Sequence, residues 1–190
     1  MSAWAVQKGY TPNQISRASV AFAALGAVFY ALAPFGPGIL HVLCLILAAA
    51  TIQARLVCNL IDGMVAVERG KGARDGPFWN EAPDRLSDLL FLVGAGIAAG
   101  NPALGALAAA LAIATAYLRE LGRAEGFPPD FSGPLAKPQR MAVLTVGTIV
   151  AALYGGAATM GLTLWIIVVG TALTVVSRAM RLLNALRARP

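Results

Sequence analysis

The chain has 190 residues, 58% of them hydrophobic and only 13% charged, with a mean hydropathy of +0.70 and a formal net charge of +6. That balance excludes an ordinary soluble domain and reads as an integral membrane protein, with the bilayer as its solvent. The basic residues are spread along segment ends without a basic-aromatic module, which argues against a nucleic-acid partner.

Residues 1–10 place Trp4 and Tyr10 among polar neighbours and Lys8, the make-up of a short interfacial helix anchored at headgroup depth. In "TPNQIS", Thr11 or Asn13 can cap the next helix, with Pro12 in its opening turn. A spanning helix needs about 20 mostly apolar residues, and six candidates follow, at roughly 15–34, 38–61, 86–100, 103–118, 141–158 and 162–180. The first has the outline of a secretory signal, with Lys8 and Arg17 ahead of an apolar run ending in "YALA". It is expected to be a retained span.

Charge placement supports the same count. Every Lys and Arg falls in the N-terminal arm, in 55–88, in 119–140 or in the C-terminal tail, whereas "PFGPG", "GNPA" and "GGAATMGL" carry none. Under the positive-inside rule the charged side is cytoplasmic, and an even number of spans puts both termini there. The expected architecture is all-α, a polytopic membrane bundle of six transmembrane helices forming a single domain, 1–190. Its expected location is the inner membrane of a bacterium. The basic cytoplasmic face suits anionic lipid headgroups and phosphorylated substrates.

Small residues dominate the spans, as in "ALGALAAALAIATAY", so tight helix crossings are expected, and the Gly94 to Gly100 stretch offers such a face to a homodimer. Trp165 and Tyr154 suit packing or lipid-facing positions. Cys44 and Cys58 lack metal-ligand spacing and read as small buried hydrophobes. His41 stands alone and reads as a helix-end packing residue.

The informative stretch is "NLIDGMVAVERGKGARDGPFWNEAPDRLSD", Asn59 to Asp88, which holds Asp62, Glu68, Asp75, Glu81, Asp84 and Asp88 between two apolar segments. Asn59 and Asp62 are three apart and Asp84 and Asp88 four apart, so each pair projects from one face of its helix. Two antiparallel neighbours joined by a turn can aim both pairs into one gap. Carboxylates at membrane depth are costly unless paired or bound to a cation. Oxygen donors without Cys or His favour Mg²⁺, Mn²⁺ or Ca²⁺ over zinc. Gly63 and Ala66, one turn further on, leave room for phosphates to approach. The competing reading makes these acids exposed partners of Arg55, Arg69 and Arg85.

"NLIDGMVA" followed by "NEAPDRLSD" resembles the signature of the CDP-alcohol phosphatidyltransferase family, D-x-x-D-G-x-x-A-R, a spacer, then G-x-x-x-D-x-x-x-D. Asp62, Gly63, Ala66, Asp84 and Asp88 match it, and "TPN" is similar to the family's opening, which adds Asn13 to the substrate-binding candidates. The resemblance implies transfer of a phosphatidyl group from CDP-diacylglycerol to a small alcohol acceptor with release of CMP. It also implies Mg²⁺ or Mn²⁺ as cofactor, Asn59, Asp62, Asp84 and Asp88 as metal positions, and Asp88 as ligand or general base. Asn59 departs from the first Asp of the pattern, Val67 from its Arg and Asn80 from its second Gly, while Arg69, two residues on, is a candidate phosphate contact.

"GPLAKPQR" sets Lys137 and Arg140 three apart at the start of the fifth span, and Arg178 and Arg181 repeat that spacing at the end of the sixth. With Arg119 they make a basic pocket beside the acids, suited to a phosphorylated acceptor such as glycerol 3-phosphate or an inositol phosphate. The same residues would also anchor the chain at an anionic interface. Two rival functions stay open at this point: a transporter with a cytoplasmic-side cation site, and a non-catalytic homologue.

Overall fold

The computed structural model describes residues 11–36, 38–68 and 75–189. The expected interfacial helix at residues 1–10 and Arg69 lie outside them. Among the described residues six α-helices follow in order: α1 Pro12–Leu32, α2 Ile39–Glu68, α3 Gly76–Ala98, α4 Pro102–Ala124, α5 Lys137–Tyr154 and α6 Gly156–Arg187, with a 3₁₀ turn, Ala33–Phe35, after α1. No strand occurs among the described residues.

The helix ends follow local chemistry. Thr11 caps α1 through a reciprocal box: its hydroxyl accepts from the Gln14 amide at 3.3 Å, and the Gln14 side chain accepts from the Thr11 amide at 3.0 Å. Asn101 caps α4 by accepting from the Leu104 amide at 3.0 Å. His41 fulfils the helix-end expectation, since its Nδ1 lies 2.9 Å from the Ala33 carbonyl. A single residue, Gly155, separates α5 from α6 at φ +144°, a conformation that disfavours any side chain.

Packing places α1 against α2 and α3, α3 against α4, α4 against α6, and α5 against both α2 and α6. The core is built from Tyr30, Leu45, Ile52, Phe91, Leu144 and Leu164 with many alanines between them. Small residues set the crossings. Gly96 approaches α4 so closely that a Cβ would lie 2.8 Å from the Gly105 Cα, and Gly94 faces the Ala27 Cα of α1 at 3.0 Å. The glycine face suggested for a second copy is therefore used inside the chain.

Several buried hydroxyls are satisfied within their own helix, while those of Ser87 and Thr171 are buried without a hydrogen-bond partner. Thr148, Thr163 and Thr174 each donate to the carbonyl four residues earlier, at 2.7, 2.8 and 2.9 Å. Tyr30 and Thr148 share a hydrogen bond between α1 and α5 in the interior.

Among the described residues, four stretches are long and apolar enough to cross a membrane: Asn13–Phe35, Ile39–Asp62, Pro102–Ala124 and Gly156–Arg187. Two of the six expected spans are not among them. α3 carries Glu81, Asp84, Arg85 and Asp88 in its first half, and α5 has 18 residues with Lys137 and Arg140 in its first turn. Leu25, Val28, Val146, Trp165 and Val169 are exposed on the outside of the bundle, as lipid-facing side chains would be, and Tyr154 is exposed beside Gly155. Cys44 is buried as expected and Cys58 is half-buried.

Candidate active site

The charged ends of α2, α3, α4, α5 and α6 surround a cavity of about 490 Å³. Asn59 and Asp62 reach its wall from α2, Asp84 from α3, Arg119 from α4, Lys137 and Arg140 from α5, and Arg178 from α6. Of the two pairs expected to meet in one gap, Asn59, Asp62 and Asp84 reach the cavity wall, whereas Asp88 is buried one turn deeper.

Asp84 is the centre of a dense polar network. Its Oδ1 accepts from Arg55 Nη2 at 2.6 Å and from Asn59 Nδ2 at 2.8 Å, and its Oδ2 accepts from Lys137 Nζ. Arg85 stands 3.6 Å away. Asp84 and Lys137 both precede the apolar stretches of their helices. Burial opposes ionisation of Asp84, but Lys137 and Arg55 outweigh it and hold the carboxyl below its ordinary range. Burial and the neighbouring Arg55 press Lys137 down, against the pull of Asp84.

Asp88, one turn deeper, is 1% exposed and accepts from Arg140 Nη2 at 2.6 Å. Its Oδ1 lies 4.0 Å from Arg55 Nη2 and is buried without a hydrogen-bond partner. Asp62 Oδ2 accepts from Ser16 Oγ at 3.0 Å, which ties the acid of α2 to α1.

The basic side is held by the segment between α4 and α5. Arg178 donates to the Ser132 carbonyl at 2.9 Å and to the Thr115 carbonyl at 2.8 Å, joining that segment to α4 and α6. Arg181 pairs with Asp130 at 2.8 Å, and Arg119 stacks on Phe131 at 5.2 Å while pairing with Glu81. Gly133, at φ +144°, packs on Thr174, and the Leu135 amide donates to that residue at 3.0 Å.

Other candidates sit differently. Asn13 donates to Asp75 at 3.1 Å, joining the starts of α1 and α3, and Trp79 Nε1 donates to the same carboxylate at 2.8 Å. Gly63 and Ala66 continue the helical backbone of α2 beyond Asp62. Sequence reasoning missed Ser16, for which spacing carried no signal. The spacing already sets Arg55 on one face of α2 with Asn59 and Asp62, as an ion-pair partner of the acids, and the structure identifies Asp84 as that partner.

The donor chemistry suits a hard cation. Asn59, Asp62 and Asp84 offer oxygen atoms at the cavity, and Asp88 Oδ1 is an orphaned carboxylate oxygen beneath it. Among the described residues, however, no three His, Cys, Asp or Glu side chains gather round one point. The carboxylates of α3 are instead held by side-chain cations.

No protein-family profile matches the chain. In sequence it is similar to phosphatidylinositol phosphate synthase of Mycolicibacterium smegmatis (strain ATCC 700084 / mc(2)155), with 25% identity over 196 residues, 98% of this chain and 82% of that protein. In structure it is similar to Mycobacterium tuberculosis phosphatidylinositol phosphate synthase (PgsA1) in complex with manganese and citrate. That match has a TM-score of 0.80 and 18% identity, and covers 95% of this chain and 86% of the other. The same synthase with CDP-DAG bound matches with a TM-score of 0.77 and 20% identity, over 95% and 90% of the two chains. The resemblance to the CDP-alcohol phosphatidyltransferases carried by Asp62, Gly63, Ala66, Asp84 and Asp88 therefore extends over nearly the whole chain. The particular relative it is similar to is a phosphatidylinositol phosphate synthase, whose fold it shares.

Proposed function

We propose that the chain is an integral membrane transferase that moves a phosphatidyl group from CDP-diacylglycerol to an alcohol acceptor and releases CMP. The observation that carries this reading is one cavity where Asn59, Asp62 and Asp84 face Arg119, Lys137, Arg140 and Arg178. The fold adds support, because the similar synthase has structures with manganese and citrate and with CDP-DAG.

In this reading Mg²⁺ or Mn²⁺ is held by oxygen atoms of Asn59, Asp62 and Asp84, with Asp88 behind them. When bound, such an ion offsets negative charge on the nucleotide's pyrophosphate and on the departing CMP. The family resemblance assigns Asp88 the proton from the acceptor hydroxyl; its unpartnered Oδ1 lies beneath the cavity, so in this reading the acceptor must penetrate below the wall that Asp84 forms to reach it. Gly63 and Ala66 are assigned to the approach of the phosphates because neither residue type is bulky, with Arg69 as a further phosphate contact and Asn13 joining the starts of α1 and α3.

The acceptor is assigned as a phosphorylated alcohol, with Lys137, Arg140, Arg178 and Arg119 receiving its phosphate. The name of the similar synthase favours an inositol phosphate over glycerol 3-phosphate. In the membrane, α3 and α5 join the four longer helices as spans, the site and both termini lie on the cytoplasmic side, and the chain works alone or as a homodimer.

The test offers purified protein CDP-diacylglycerol with Mg²⁺ or Mn²⁺ and a panel of acceptors, reading CMP release and product mass. Metal-dependent CMP release with one phosphorylated acceptor is expected, with loss in Asp84→Asn and Asp88→Asn. No CMP with any acceptor would favour the second reading, a non-catalytic homologue. That reading draws support from Asn59 and from the cations already seated on Asp84.

A further inference from the structure

Two aromatic rings line the cavity among the described residues, and they keep different company. Phe131 belongs to the basic side, where Arg119 covers its ring at 5.2 Å and Arg178 holds the neighbouring Ser132 carbonyl. Trp79, at the start of α3, is fastened to α1. Arg17 of α1 stands over its ring at 4.6 Å, and its Nε1 donates at 2.8 Å to Asp75, which also accepts from Asn13 of α1 at 3.1 Å. Phe78 meets the indole edge-on, with ring centroids 5.5 Å apart.

Ser16, next to Arg17 in α1, donates to Asp62 at 3.0 Å. Trp79 and Asp62 therefore flank one turn of α1 from two different helices. Along α3 the indole precedes Asp84 by five residues, which sets it about 7.5 Å nearer the charged end of the bundle. Trp79 is thus one step outward from Asn59, Asp62 and Asp84, the oxygen donors assigned to a cation on the pyrophosphate. A nucleoside diphosphate has the same order, with its base one ribose beyond the phosphates.

We infer that Trp79 is the platform on which the cytosine base of the CDP-linked lipid stacks. The inference rests on the transferase reading above and deepens it.

The ring is suited to that use. An indole has two faces, and a guanidinium on one leaves the other for a flat, uncharged base. Trp79 is half-buried and borders the cavity, so part of the ring is open to a ligand there. Its hydrogen bond to Asp75 and its contact with Phe78 fix the ring in advance, which lowers the ordering cost of binding. Tryptophan also serves as an interfacial anchor. An anchor presents its ring to lipid, whereas this one borders a charged cavity and bonds a carboxylate at the head of its own helix.

The experiment uses the purified 190-residue chain in detergent with Trp4→Phe and Trp165→Phe, which leaves Trp79 as the sole indole of three. Its fluorescence, excited beyond the cytosine absorption, is titrated in Mg²⁺ with CMP and with ribose 5-phosphate, which lacks the base. Saturable quenching by CMP is expected, with a midpoint equal to the calorimetric Kd, and no response to ribose 5-phosphate. Trp79→Ala in the unaltered chain is expected to weaken CMP binding about 5- to 150-fold, the range of base stacking on an aromatic ring, and Trp79→Tyr to keep most of the affinity. CMP binding by calorimetry without a change in Trp79 emission, or an equal response to ribose 5-phosphate, overturns the inference and leaves the transferase reading standing. So does a folded Trp79→Ala chain with unaltered affinity. No binding of CMP or of CDP-diacylglycerol overturns both together. If Trp79→Ala does not fold, the emission titration still decides the matter.

Discussion

Asn59 Nδ2 donates to Asp84 Oδ1 across 2.8 Å, joining α2 to α3 at the centre of the candidate site. Two carboxylates at that separation would repel unless a cation lay between them, so the amide makes the contact favourable without one. Asn59→Asp is therefore expected to lower thermal stability in metal-free buffer and to regain it on adding Mn²⁺. A thermal-shift comparison with and without EDTA checks this, and an unchanged melting temperature in EDTA would contradict it.

Asp84 carries the counter-charge of a fully buried guanidinium. Removing one member of a buried ion pair typically costs about 3–5 kcal/mol, so Asp84→Leu is expected to be strongly destabilised. Arg55→Leu combined with Asp84→Leu should recover much of the loss. Denaturant titration of the four species of this double-mutant cycle measures the coupling.

Arg178 bonds two backbone carbonyls and also lines the cavity. A hydrogen bond to a charged group contributes about 1.5–3 kcal/mol, so Arg178→Met is expected to raise the acceptor KM by about 10- to 100-fold. The KM for CDP-diacylglycerol should move far less. A change of equal size in both would mean that the whole bundle has loosened.

Asp130 sets a pH dependence. Burial, the largest single effect, raises its carboxyl, but the hydrogen bonds from Ser132 and the pairing with Arg181 together prevail and hold it below its ordinary value of 3.8. A depressed carboxyl contributes its stabilisation above the unfolded value and loses it as pH falls through the folded one. The 125–136 segment is therefore expected to stay protected from proteolysis at pH 5 and to become susceptible below about pH 4. Asp130→Asn should be susceptible throughout, which limited digestion across that range would show.

The α3–α4 crossing is expected to tolerate no side-chain growth. A Cβ on Gly105 would collide with the Leu92 carbonyl oxygen, a backbone atom that cannot rotate away. Gly105→Ala should cost about 1–3 kcal/mol, whereas Gly161→Ala, which meets open space, should be close to neutral. Melting temperatures of the two variants in one detergent compare them directly.

Much of this arrangement is legible from spacing alone. Apolar runs gave six segments, and six helices occupy them. Thr11 and Pro12 announce the start of α1, and the spacing of the acids on α2 and α3 brings Asn59, Asp62 and Asp84 to a shared cavity, with Asp88 buried one turn deeper. The partners of those acids were less legible, because ion pairing across a bundle depends on helix rotation and depth, which period does not determine. Lys137 and Arg140 were read as ligands for a phosphate, yet they also neutralise Asp84 and Asp88. The glycines of α3 signalled close approach without naming the neighbour, which proved to be α1 and α4. The hold of Arg178 and Arg181 on residues 130–132 had no periodic signature, since it belongs to an irregular segment.

At the end of the bundle away from the cavity, α3 turns into α4 through three residues and α5 into α6 through Gly155 alone. Hairpins so short leave almost no slack, and the paired helices there behave as stiff struts clamped at one end. Compliance is then concentrated at the opposite end, where the long joint between α4 and α5 adjoins the cavity. Any widening of the cavity would then be a splaying of that free end about the clamped one.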